Sequence, residues 1–85
     1  MTLTNLKTLE ERNKLLEEIE WKLIDDFIQT RKNHNLSQQK MADQSNVIRE
    51  TIARIENRTM NPTVSTLIDI LEPLGLTIKI VPLEK

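Results

Sequence analysis

SQQKMADQSNVIRETIARIEN, running from Ser37 to Asn57, is the stretch on which the fold turns. Ser37 suits a helix N-cap, because its hydroxyl can accept a hydrogen bond from a free first-turn amide. Met41 and Ala42 then face inward, and Ser45-Asn46-Val47 makes a tight turn without glycine. In the helix that follows, Ile48, Ile52 and Ile55 fall within an arc of about 60° at ~100° per residue. Glu50, Ala53, Arg54 and Asn57 take the opposite side, with Arg49 on the flank. Two short helices joined by a tight turn are therefore expected, with a polar face free to meet a partner.

Working outward, the net charge of -1 hides a division along the 85 residues. Residues 1–30 set Lys7, Arg12, Lys14 and Lys22 against seven acids. Residues 31–58 reverse the balance, with Arg31, Lys32, Lys40, Arg49, Arg54 and Arg58 against Asp43, Glu50 and Glu56. The basic excess coincides with the two short helices, where it can attract phosphate. A chain of this size makes one small domain, which buries roughly 60–65% of the surface of its unfolded chain. There are no cysteines, so disulfides and thiolate metal sites are excluded and a reducing compartment is expected. No run approaches the ~18 apolar residues of a membrane span, and a basic-then-apolar leader is missing. A soluble, cytoplasmic protein is expected.

Before Pro62 the chain has neither glycine nor proline, which favours helices separated by polar turns. Thr8-Leu9-Glu10-Glu11 has the form of a capping box. From it Leu9, Leu16, Leu23 and Phe27, with Ile19, Ile24 and Ile28 beside them, recur at helical spacing. This helix is expected to run to about Lys32. Asn33-His34-Asn35 should end it, since Asn tolerates the left-handed conformation. Asn61-Pro62-Thr63 opens a further helix, with Val64, Leu67, Ile68 and Leu71 turned to the core and Pro73 and Gly75 at its end. Leu76-Thr77-Ile78-Lys79-Ile80 alternates apolar and polar, predicting a short β-strand whose simplest partner is its twin in a dimer.

LSQQKMA, IRETIARIEN and NPTVSTLIDILEPLG together resemble the Xre (Cro/CI-type) helix-turn-helix family, from about Leu23 to Gly75. Arg31, Ser37-Gln38, Ala42, Ile52 and Ile55-Glu56-Asn57 stand in the family's order. The acidic leading stretch LEERNKLLEEIEWKLIDDFIQTRK and the closing GLTIKIVP resemble HigA- or HipB-like antitoxins of toxin–antitoxin systems. The implied fold is all-α, a lambda-repressor-like helix-turn-helix bundle with a long N-terminal helix and one short C-terminal β-strand. The chain would divide into an N-terminal helical extension (1–22), a DNA-binding domain (23–75), and a C-terminal strand and tail (76–85). Three residues depart from the family pattern. Asn46 stands where the turn commonly has glycine, Ile48 where Ser or Thr caps the recognition helix, and Arg58 where glycine follows it.

In this fold the third helix enters the major groove with its N-terminal side chains against base edges. The resemblance implies base contacts from Gln38, Arg49, Glu50, Thr51 and Arg54. Residue chemistry agrees, since the Arg fork fits guanine O6 and N7, Glu accepts from cytosine N4, and Thr can meet a thymine methyl. Arg31, Lys32, Lys40 and Arg58 are candidate phosphate contacts, which position without reading sequence. His34 reads as a helix-end residue, and Trp21 as either a core edge or a partner anchor.

No metal spacing, nucleophile–base set or phosphate loop appears, so neither an enzyme nor a cofactor is expected. The expected function is a sequence-specific transcriptional repressor, an antitoxin that controls its own operon and neutralises a toxin. Its partners would be a palindromic duplex, a second copy held through Leu76 to Val81 or the N-terminal helix, and a basic toxin on the acidic leading helix. The alternatives are a solitary phage or mobile-element regulator, and a protein-interaction module that has lost DNA binding.

Overall fold

Thr8 opens the first helix, α1 (Leu9–Asn33), in the computed structural model, which describes residues 8–83. Its hydroxyl accepts from the Glu11 amide at 3.1 Å and the Glu11 carboxylate accepts from the Thr8 amide at 2.9 Å. This is the capping box expected from the sequence, and it satisfies two amides that would otherwise lack partners. His34 caps the far end, where its Nδ1 lies 2.9 Å from the Thr30 carbonyl, and Asn35 turns the chain at φ 57°. Ser37 then caps α2 (Gln38–Gln44), accepting from the Lys40 amide at 3.1 Å. After the turn come α3 (Arg49–Glu56) and α4 (Val64–Leu71), the latter capped by Thr63. A 3₁₀ turn (Glu72–Leu74) ends at Gly75, whose φ of 76° suits a residue without a Cβ.

Each helix contributes two buried side chains to a single core. They are Ile24 and Phe27 from α1, Met41 and Ala42 from α2, Ile52 and Ile55 from α3, and Leu67 and Ile70 from α4. Fully burying one large apolar side chain stabilises a fold by about 1.5–3 kcal/mol. Met41, Ile52, Ile55 and Ile70, the most enclosed, therefore hold α2 and α3 against α1 and α4.

Two expectations need correction, the strand and the facing of α4, and α1 and the inter-helix turn add a finding each. Among the described residues there is no β-strand: residues 75–83 follow Leu74 without a ladder. The alternation in the sequence is strand chemistry, but a ladder needs a second strand, and the described residues offer none. Ile80 accordingly stands 97% exposed. On α4, Val64 and Ile68 face solvent, and Ile70 takes the core position beside Leu67. At 100° per residue Ile68 lies about 130° from the centre of the Leu67–Ile70 face, too far round to be covered. Along α1, Leu9, Leu16, Ile19 and Leu23 are exposed although they continue the helical stripe. A helix of this length spans about 37 Å, whereas the two shorter dimensions of the molecule are 24 and 21 Å. The other helices do not extend beneath its first half. Finally, Asn46 does not take a positive φ; the turn closes instead through the Ser45 hydroxyl, which accepts from the Val47 amide and donates to the Ala42 carbonyl.

Candidate nucleic-acid interface

The first turn of α3 has no side-chain cap, because its N-cap position is held by Ile48. Only the Ile48 carbonyl serves there, accepting from Thr51 and Ile52. The leading amides of α3 are left for an outside acceptor, and a phosphate oxygen is the natural one. Arg49 and Glu50 open the helix exposed, Thr51 is half-buried, and Arg54 emerges one turn later. Among the described residues Glu50, Thr51 and Arg54 have no side-chain hydrogen-bond partner, so their polar groups remain open.

Arg49 is placed by a relay that starts inside the bundle. Arg31 donates from Nε to Glu56 Oε2 at 2.7 Å and from Nη2 to Oε1 at 3.0 Å. Its Nη1 donates to the Leu36 carbonyl at 2.8 Å. Glu56 Oε1 also accepts from Gln38 Nε2 at 2.9 Å, and Gln38 Oε1 accepts from Arg49 Nη1 at 3.4 Å. The Arg31 and Glu56 side chains are only 13% and 7% exposed. A pair so enclosed adds little by its attraction alone, yet removing one member strands the other charge and costs about 3–5 kcal/mol. Gln38 thus touches both the buried pair and Arg49.

The expected phosphate contacts are distributed differently. Lys32 and Lys40 are exposed, at the end of α1 and in α2. Arg31 is committed to Glu56 and Leu36, so it reaches a phosphate only by leaving them. Arg58 sits just past α3 at φ 63°, with its amide bonded to the Ile55 carbonyl and that of Thr59 to Arg54. That left-handed conformation is the one glycine commonly supplies, and a side chain there costs roughly 1–2 kcal/mol. The Arg58 head lies over the Trp21 ring, 4.5 Å from its centroid. Its Nη2 donates to Asp25 Oδ1 at 2.7 Å and to the Trp21 carbonyl at 3.3 Å.

Two features of this region were not legible as roles in the sequence. Glu56 had a local signal, since it falls one turn after Ile52 on the edge of the buried face, where an acid needs a partner. The Arg58–Trp21 contact joins residues 37 apart, and no spacing rule could have found it.

A helix-turn-helix family model matches residues 28–81, which takes in most of the bundle. The chain belongs to the helix-turn-helix family. A Haemophilus influenzae protein described as an uncharacterized HTH-type transcriptional regulator is similar to this helix-turn-helix chain, with 43% identity over 61 residues. That match takes in 72% of this chain and 62% of the relative, so the chain spans about three fifths of its length. Among solved structures, a chain of a toxin–antitoxin module from Streptococcus pneumoniae is similar at a TM-score of 0.65 and 32% identity. The overlap covers 93% of this chain and 85% of that one, so it extends beyond the helix-turn-helix core into the leading helix.

Proposed function

We propose that this helix-turn-helix protein is a sequence-specific DNA-binding repressor, an antitoxin that controls its own operon and neutralises a toxin. The single observation that carries the DNA half is the start of α3, where exposed Arg49 is held by Gln38 and backed by the Glu56–Arg31 pair. An arginine held in place loses less freedom when it forks onto a guanine edge, and such a contact discriminates by about 1–3 kcal/mol. Glu50, Thr51 and Arg54 complete the base-reading set. Lys32 and Lys40 supply phosphate contacts, with Arg31 and Arg58 joining only where they exchange their internal partners. Two copies place their recognition helices about 34 Å apart on a palindromic site. The apolar side chains of Leu76, Ile78, Ile80 and Val81 are exposed in the single chain and give such a dimer surface to share.

The toxin half is supported by similarity to the pneumococcal toxin–antitoxin module along nearly the whole chain. The acidic first half of α1 suits a basic toxin. Among the described residues no helix is long and apolar enough to cross a membrane, in keeping with action on DNA in the cytoplasm. Two experiments test the two halves. Arg49→Ala should lose preference for the native upstream duplex over a scrambled one, and unchanged preference would refute base reading by Arg49. Co-expression with the adjacent gene should yield a complex with a small basic protein that removal of residues 1–20 abolishes. A complex that survives the removal would refute toxin binding by the leading turns of α1, up to residue 20.

A further inference from the structure

Arg58 gives a concrete picture of a guanidinium seated on α1. It stacks on Trp21 and donates from Nη2 to both Asp25 and the Trp21 carbonyl. The seat is incompletely matched from within the chain. Arg58 reaches it from a left-handed backbone conformation, and its Nε is buried without a hydrogen-bond partner. Trp21 nonetheless remains 58% exposed and the Asp25 side chain 70% exposed, so there is room for an outside group. Glu17, Glu18, Trp21 and Asp25 line one shallow groove and share an arc of about 100° on the helix. Lys14, Lys22 and Asp26 line the same groove, so four acids there stand against two lysines and the balance is acidic.

We propose that the Trp21–Asp25 face of α1 is an arginine-binding site for a basic partner protein, whose arginine replaces Arg58 on the indole. This rests on the assignment of α1 as the partner-binding helix and names the contact that decides it. A second copy of the chain fits poorly, because its own α1 brings the same excess of acids. An incoming arginine is free of the backbone constraint on Arg58 and can take Asp25 while its neighbours meet Glu17 and Glu18. Lysine is a poor substitute, since a compact ammonium cannot lay a plane on the indole while its N–H groups reach the acceptors beside it.

Trp21 is the only tryptophan in the chain, so its fluorescence reports this site alone. The test titrates the full-length protein with a capped arginine–alanine peptide and with a lysine–alanine peptide of equal length and charge. The wild type should show a saturable change in Trp21 emission, about tenfold tighter for the arginine peptide. Arg58→Gly, which suits the left-handed backbone and vacates the seat, should bind the arginine peptide about tenfold more tightly still. Asp25→Asn, a surface change that leaves the core untouched, should bind it about tenfold more weakly. Equal affinity for the two peptides would overturn the site, as would Arg58→Gly binding no more tightly; Arg58 is then a fixed brace between α1 and α3. Co-purification with the adjacent gene's product, run in parallel, separates the failures. A complex that needs residues 1–20 but shows no arginine selectivity refutes the arginine seat alone. Selective peptide binding with no such complex refutes the toxin assignment alone.

Discussion

Along α1, the turns before Leu23 and the turns after it carry similar apolar spacing but meet different surroundings. From Ile24 onward the helix packs on α3 at the shared core, and Ile24 and Phe27 are buried with Arg31 enclosed beside them. Before that, Leu9, Leu16, Ile19 and Leu23 stand at least 44% exposed. Periodicity marks which side chains a helix could bury together, while burial depends on what the rest of the chain places opposite. The second half of α1 therefore belongs to the stability of the fold. The first half is a surface held out from it, fastened at its base by Arg58 on Trp21 and Asp25.

The largest test of this contrast is at the enclosed pair. Glu56→Ala strands Arg31 and releases Gln38, and should cost about 3–5 kcal/mol, read as a fall in the urea midpoint at unchanged slope. Ile52→Ala empties a fully buried position and should cost about 2–5 kcal/mol in the same assay. Arg49→Ala lies outside the core and should leave that midpoint within about 0.5 kcal/mol, while DNA discrimination falls by about 1–3 kcal/mol at the base it reads. Leu16→Ser, on the exposed stripe, should change stability by less than about 0.5 kcal/mol. A large loss there would mean that the first half of α1 is packed in solution, and the contrast between the halves would collapse.

Much of this was legible in residue pattern. Ser37, Thr8 and Asn35 take the capping and turning roles that their side chains favour, and Met41, Ala42, Ile52 and Ile55 are buried where their spacing put them. These features are local, set within one or two turns of helix. What escaped depends on non-local partners. The alternation at Leu76–Ile80 has strand character but no second strand among the described residues. Ile68 and Val64 differ from Ile70 only by helix phase, which depends on where α2 and α3 lie. Arg31 looked like a surface cation until Glu56 was brought beside it, and Arg58 until α1 passed beneath it. At the interface, the exposure of Arg49, Glu50 and Arg54 followed from the division of α3 into two faces. The Gln38 bridge behind Arg49 required the packing of α2 on α3.

The central claim is that α3 reads a sequence, and fluorescence anisotropy tests it directly. The protein would be titrated onto a labelled duplex from its own upstream region and onto a scrambled duplex of equal composition, at 50 and 200 mM salt. A preference of about 10³ or more for the native duplex is expected, with affinity falling by about 10³ across the salt range if roughly six phosphates are neutralised. Equal, weak binding to both duplexes would contradict it and leave the helix-turn-helix as a scaffold for the acidic helix.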